Sequence, residues 1–180
     1  MSEREFSWVK KGRCWVFGHD IPHMGGVVPM HIVSQMRTDP KEIVPHLFEE
    51  SIPGFHEKCA PGDVIVAGRN FGMGAKMQGY IAMKALGLGL LCESMSFLAY
   101  REAIGIGLPV LTGCDGVLDT CNSGDLLEVD FKSGAFYNKS QNTEYSYSGV
   151  PEALQDVLSY GGTTGWLANW WHLRKTVQLE

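Results

Sequence analysis

Short apolar runs ended by glycine recur along this chain, and between them lie longer stretches whose apolar residues fall three and four positions apart. The clearest unit starts after Asp63. Val64, Ile65, Val66 and Ala67 form a continuous apolar run, Gly68 to Gly74 a glycine-rich turn, and Ala75 to Leu86 a helical pattern. The unit then repeats: Leu88 to Cys92 reads as a buried strand, Ser96 to Ile104 as a helix capped by Ser96 and closed by Gly105 and Gly107, and Val110 to Thr112 as a third strand. Unbroken apolar runs mark strands covered on both faces. Their alternation with helices predicts parallel strands joined by crossover helices.

The flanks read differently. Cys14, Trp15, Val16 and Phe17 form a buried strand that ends at Gly18. His19 to Val33 holds Pro22, Gly25, Gly26 and Pro29, so a long loop or lobe is expected there. Asp39, Pro40 and Glu42 start a helix that Pro45 shortens or kinks, giving one from about 40 to 50. Beyond residue 115 the texture changes to alternating strands, through Leu126, Leu127, Val129 and Phe131, then Phe136 and Tyr137 and then Tyr145 and Tyr147, which predicts antiparallel hairpins. A last helix is expected from Pro151 to about Tyr160, stopped by Gly161 and Gly162. Trp166, Trp170, Trp171 and His172 follow as an aromatic tail, read as a packing or interface feature.

Composition narrows the class. A length of 180 residues with 44% hydrophobic and 19% charged positions suits one globular domain over residues 1–180. A net charge of −5 with scattered lysines and arginines argues against a nucleic-acid partner. No run is long enough to span a bilayer and the start is too polar for a secretory signal, so no membrane role and a cytoplasmic location are expected. The five cysteines make no C-x-x-C pair and are expected to be reduced core thiols, so no metal centre is expected in this chain. His19, His23 and His31 are near one another in sequence, but their spacing in a loop is a weak metal pattern.

Chemistry is expected at Asn70, Phe71, Gly72, Met73, Gly74, Ala75, Lys76 and Met77, because a strand feeding a helix through glycines turns backbone N–H groups toward open space. Such a lip, with the positive end of the helix dipole behind it, suits a carboxylate or phosphate. A dinucleotide site is disfavoured: Gly79 comes two positions too late for that fingerprint.

The stretch Pro61 to Gly74 resembles the signature of the isopropylmalate dehydratase small subunit, P-G-D-I-I-V-A-G-x-N-F-G-x-G, which in the family leads into S-S-R-E-H. Ala82 to Gly87, Ser94 to Leu108, Gly124 to Asp130, Gly134 and the pair Gly161 and Gly162 are similar to further family positions. So are Gly18, Asp20, Ile21, Val27, Val28 and Pro29 near the front, so the resemblance covers most of residues 12 to 165. It implies an α/β fold, a swivelling β/β/α domain of the aconitase C-terminal type with parallel core strands, crossover helices and antiparallel hairpins. It also implies a large aconitase-type partner subunit that carries a 4Fe–4S cluster, this chain holding none. The implied activity is that of a hydro-lyase on a 2-hydroxy acid, in which the cluster iron polarises the leaving hydroxyl, a small-subunit serine takes a proton from carbon, and arginines hold carboxylates.

This chain departs from the family at those positions. Ala75, Lys76, Met77, Gln78 and Gly79 replace S-S-R-E-H, His31 stands where an arginine follows the family's proline, and Pro22, His23 and Met24 replace D-T-D. Methionine cannot supply an arginine's bidentate fork, so a small carboxylic acid other than isopropylmalate is expected as substrate. Lys76 stands where the family carries its base. It is read either as a catalytic or carboxylate-binding amine, its pKa pushed down by desolvation beside a helix N-terminus, or as a solvated lysine. His31 is an anion-binding or proton-shuttling candidate, and Asp20 a candidate for a water network or a turn cap. Met24, Met73 and Met77 either line a softer pocket or belong to the core. The alternative function is a carboxylate- or phosphate-binding regulatory module that kept the fold and lost catalysis.

Overall fold

The computed structural model of the chain describes residues 6–74 and 76–177. The parallel core forms where the sequence pattern places it. Strand β2 (Val64–Ala67) and β3 (Gly89–Cys92) are buried along their whole length, and β4 (Val110–Thr112) completes the group. β1 (Val9–Val16) pairs parallel with β2, β2 with β3, and β3 with β4. Residues covered on both faces can be uniformly apolar, and here they are.

β1 also joins two kinds of sheet. Its later residues, Cys14 to Val16, pair with β2, while Val9 to Arg13 pair antiparallel with β5 (Leu126–Asp130). β6 (Ala135–Asn138) and β7 (Thr143–Ser146) continue as hairpins, giving the order β4-β3-β2-β1-β5-β6-β7. The strand is longer than its apolar run because Lys10, Lys11 and Arg13 lie on its half-exposed part.

One buried carboxylate fixes the junction. Asp63, at the entry to β2, accepts hydrogen bonds from the N–H groups of Arg13 (2.8 Å) and Ala60 (3.0 Å) and from the indole Nε1 of Trp15 (2.9 Å). A side chain on Gly12 would sit 2.6 Å from that carboxylate, so the approach of β1 to Asp63 needs glycine there.

Helices α1 (Met30–Ser34), α2 (Pro40–Ile43) and α3 (Phe55–Lys58) lie between β1 and β2, with Val44–His46 as a 3-10 turn after α2. The lobe expected over His19 to Val33 thus ends in a helix. Asp39 caps α2 by accepting from the N–H of Lys41, and Pro45 leaves the segment as two short pieces. α4 (Gln78–Ala85) links β2 to β3, and α5 (Phe97–Ile106) links β3 to β4. Ser96 caps α5, accepting from the N–H of Ala99 at 3.2 Å, and Gly107 closes it at a positive φ.

The aromatic segment near the end is a helix and not a tail. After α6 (Glu152–Ser159), Gly161 and Gly162 turn the chain and α7 (Thr163–Val177) packs back on α5 and α6. Two glycines stop one helix; they do not prevent the next. Among the described residues, no helix is long and apolar enough to cross a membrane.

Candidate active site

The exits of β1, β2 and β3 lie side by side, and their backbones are stitched to one another. Asp20 donates its N–H to the carbonyl of Arg69 (2.8 Å), Gly68 to that of Gly18 (3.1 Å), and Arg69 donates to Nδ1 of His19 (3.0 Å). The Nδ2 of Asn70 then donates to Oδ1 of Asp20 at 2.7 Å. Both residues adopt positive φ, 58° for Asp20 and 57° for Asn70, a conformation that Asp and Asn tolerate better than other residues with a Cβ. A paired carboxylate and amide are thereby held at the surface. Glu93, at the exit of β3, places Oε2 3.7 Å from Nη1 of Arg69.

The glycine turn is used otherwise than its sequence implies. The N–H of Asn70 donates to Oγ of Ser94 (3.0 Å), that of Phe71 to the Ser94 carbonyl (3.0 Å), and that of Gly72 to the Ile21 carbonyl (2.8 Å). These three amides are spent inside the protein. The expected anion lip therefore does not exist over Asn70 to Gly72, and Phe71 is a wholly buried packing residue with no access to a ligand. Gly72 lies at φ 73° beneath Tyr80, where an added Cβ would strike the phenol. Met73 and Gly74 are exposed, and Ala75 falls outside the described residues.

The helix after the turn starts at Gln78, three residues later than the sequence pattern predicts. No Ser, Thr, Asp or Asn stands at Ala75 to Met77 to cap it. The buried His23 caps it from the lobe instead, its Nε2 accepting from the N–H of Gly79 at 3.0 Å. That bond puts the neutral ring's proton on Nδ1, which has no partner among the described residues. His23 packs edge-on against Tyr80, 5.0 Å between ring centroids. Burial, with the Lys76 charge adding to it, pushes its pKa down to about 4.

The unfolded chain, with a histidine pKa near 6.5, binds that proton more tightly than the native state. The stability His23 contributes is therefore complete above pH 6.5 and lost as pH falls toward 4. Denaturant titrations across that window are expected to show a loss of about 3 kcal/mol. A His23→Gln variant, which can still accept from Gly79, should lack this component; an unchanged slope would contradict the assignment.

Lys76 precedes the helix and is exposed, so the desolvation expected for it is not present in the free chain. It opens onto a cleft of about 560 Å³ with Gln78, Glu102 and four methionines, Met24, Met30, Met36 and Met77. Met24 and Met77 thus line an opening, while Met73 is exposed but is not among the lining residues. A second hollow of about 460 Å³ shares Met77 and Glu102 and reaches the start of α7. His31 sits apart: its neighbours Met30 and Val33 face the cleft, while its own exposed ring lies 5.5 Å from that of His46. The structure brings Asp20 together with Asn70, and Lys76 together with Met77, but does not join His31 to either pair.

Comparison with known proteins decides the family. The 3-isopropylmalate dehydratase small subunit of Thermodesulfovibrio yellowstonii is 34% identical over 158 residues, 87% of this chain and 92% of the relative. A small subunit of Archaeoglobus fulgidus is 37% identical over 153 residues, covering 84% and 92%. This chain belongs to the 3-isopropylmalate dehydratase small-subunit family. The isopropylmalate/citramalate isomerase small subunit of Methanocaldococcus jannaschii is 32% identical over 160 residues. The crystal structure of 3-isopropylmalate dehydratase from the same organism superimposes with a TM-score of 0.81 at 29% identity, covering 94% of this chain and 97% of that one. No family model matches the chain.

Within this family fold, two residues carry signals that motif spacing does not expose. His23 works as a cap on a helix 55 positions away, and Glu102 meets the cleft from α5. Burial raises the Glu102 pKa while the Lys76 charge opposes the rise. Among the described residues, no three His, Cys, Asp or Glu side chains are grouped to hold a metal ion. The thiols do not fit a cluster either: Cys14, Cys92, Cys114 and Cys121 are buried, and Cys14 Sγ donates to the Asn122 carbonyl at 2.8 Å.

Proposed function

We propose that this chain is the small subunit of a heteromeric aconitase-family hydro-lyase that acts on a small 2-hydroxy carboxylic acid other than isopropylmalate. The observation that carries the proposal is the cleft walled by the lobe after β1, the start of α4 and α5, where Lys76, Gln78 and Glu102 stand among methionines and no arginine is among the described lining residues. The partner would be a large aconitase-type subunit holding a 4Fe–4S cluster, which supplies Lewis-acid polarisation of the leaving hydroxyl.

This chain contributes position and proton handling. The exposed Lys76 amine binds the substrate carboxylate or exchanges a proton at carbon once a partner surface excludes water from it. Asp20, fixed by Asn70, presents a carboxylate at the strand exits. Met73 and Met77 add apolar contact, and His31 is assigned to the outer rim, where it meets an anion only after closure. The regulatory-module alternative is weakened by the amides of Asn70, Phe71 and Gly72, which the fold already uses.

Co-expression with a large aconitase-type subunit is expected to give a brown complex that co-purifies. Two colourless proteins that elute separately would contradict the proposal.

A further inference from the structure

His23 holds the Lys76 segment at both ends. Its backbone N–H donates to the carbonyl of Met73 (2.8 Å), and its ring Nε2 accepts from the N–H of Gly79 (3.0 Å). Lys76 lies between these two contacts. The segment cannot shift against the lobe without breaking one of the bonds.

His23 is itself immobilised. It is wholly buried, its carbonyl accepts from the N–H of Val28 at 3.0 Å, and its ring stands edge-on to Tyr80. Burial and, second to it, the Lys76 charge hold its pKa near 4, so the ring stays the neutral acceptor that Gly79 needs at neutral pH. A side chain locked by packing can hold a reacting group in place; a mobile one cannot.

Two places where this chain leaves the family signature meet at this contact. Gly79 stands where S-S-R-E-H has its histidine, and His23 lies in the stretch that replaces D-T-D. A Cβ on Gly79 would strike Val27 and come within 3.1 Å of Cε1 of His23. The space beside the helix start thus holds an imidazole delivered from the lobe and leaves no room for a side chain at position 79. The two serines of the signature, either of which could cap a helix, are Ala75 and Lys76 here, and His23 supplies the acceptor in their stead.

We propose that His23 is the positioning residue of Lys76: it clamps the segment from Met73 to Gly79 and so fixes where the amine meets the substrate. It acts through Lys76 and is not itself catalytic. The use of Lys76 on a substrate rests on the hydro-lyase reading above, whereas the clamp is measured on the free chain.

NMR of the isotope-labelled full chain should show scalar coupling between the Gly79 amide nitrogen and Nε2 of His23, the signature of an N–H···N bond. His23→Leu keeps the bulk and removes the acceptor. It is expected to speed amide exchange at Gly79 about fivefold, the effect of losing a helix cap, while exchange in β2 and β3 stays that of the parent. His23→Gln, which can still accept, should restore most of the protection. In the complex with a large subunit, His23→Leu should lower kcat/KM about tenfold to a hundredfold, the loss that a displaced reacting group brings. Added to Lys76→Ala, the same change should cost little more, because an absent amine cannot be misplaced; a merely structural role would multiply the two losses. The proposal is overturned by absence of the coupling in the parent, which needs no variant to fold, by parent-like exchange at Gly79 in His23→Leu, or by multiplied losses in the double variant. Absence of a complex with a large subunit would instead overturn the hydro-lyase reading, while coupling and exchange in the free chain still decide the clamp.

Discussion

In the assembled enzyme, Lys76→Ala is expected to lower kcat by about 10²- to 10⁴-fold, the range removed with a positioned acid or base. The native fold should survive, because Lys76 is exposed and precedes helix α4. The melting temperature is therefore predicted to stay within about 2 °C of the parent. Lys76→Arg separates the two roles left to the amine. An arginine restores carboxylate binding and so KM, but it cannot accept a proton at neutral pH, so kcat stays low if Lys76 is the base. Parent-like kcat in the alanine variant would remove Lys76 from the mechanism.

The largest stability effect is expected at Asp63. Its carboxylate holds the backbone of Arg13, the indole of Trp15 and the backbone of Ala60 at the junction where β1 passes from one sheet partner to the other. Asp63→Ala leaves three donors in a half-buried place without an acceptor. A loss of roughly 3–5 kcal/mol follows, out of the 5–15 kcal/mol that a domain of this kind possesses. Calorimetry should show a fall in melting temperature on the order of 10 °C; a fall below about 2 °C would mean the sheets are joined by packing alone.

Asp63 also illustrates what the sequence makes legible. Its place before Val64 to Ala67 is visible in the pattern, and β2 and β4 lie at the expected residues because a strand covered on both faces must be a continuous apolar run. Ser96 was readable as a cap for the same reason: its partner, the N–H of Ala99, is three residues away. The family resemblance and the α/β architecture are both borne out by the relatives and by the solved structure that superimposes on this one.

Features set by long-range contacts were not legible. The start of α4 depends on His23, which no local rule connects to Gly79. The amides of Asn70, Phe71 and Gly72 looked free because their acceptors, Ser94 and Ile21, are 23 or more and 51 positions away in the chain. α7 was hidden because its tryptophans and leucines do not fall on one clean face and because two glycines precede it. Glu102 gave no motif at all; only the packing of α5 beside α4 brings its carboxylate to the opening.

The central claim is that the strand exits and the cleft that Lys76 borders belong to the face that closes on another polypeptide around the substrate. Hydrogen exchange of this chain, followed by mass spectrometry with and without a large aconitase-type subunit, tests it most directly. Slowed exchange is predicted in residues 18–24, 68–78 and 93–102. Protection confined to the β5 to β7 hairpins, or to no segment, would contradict it.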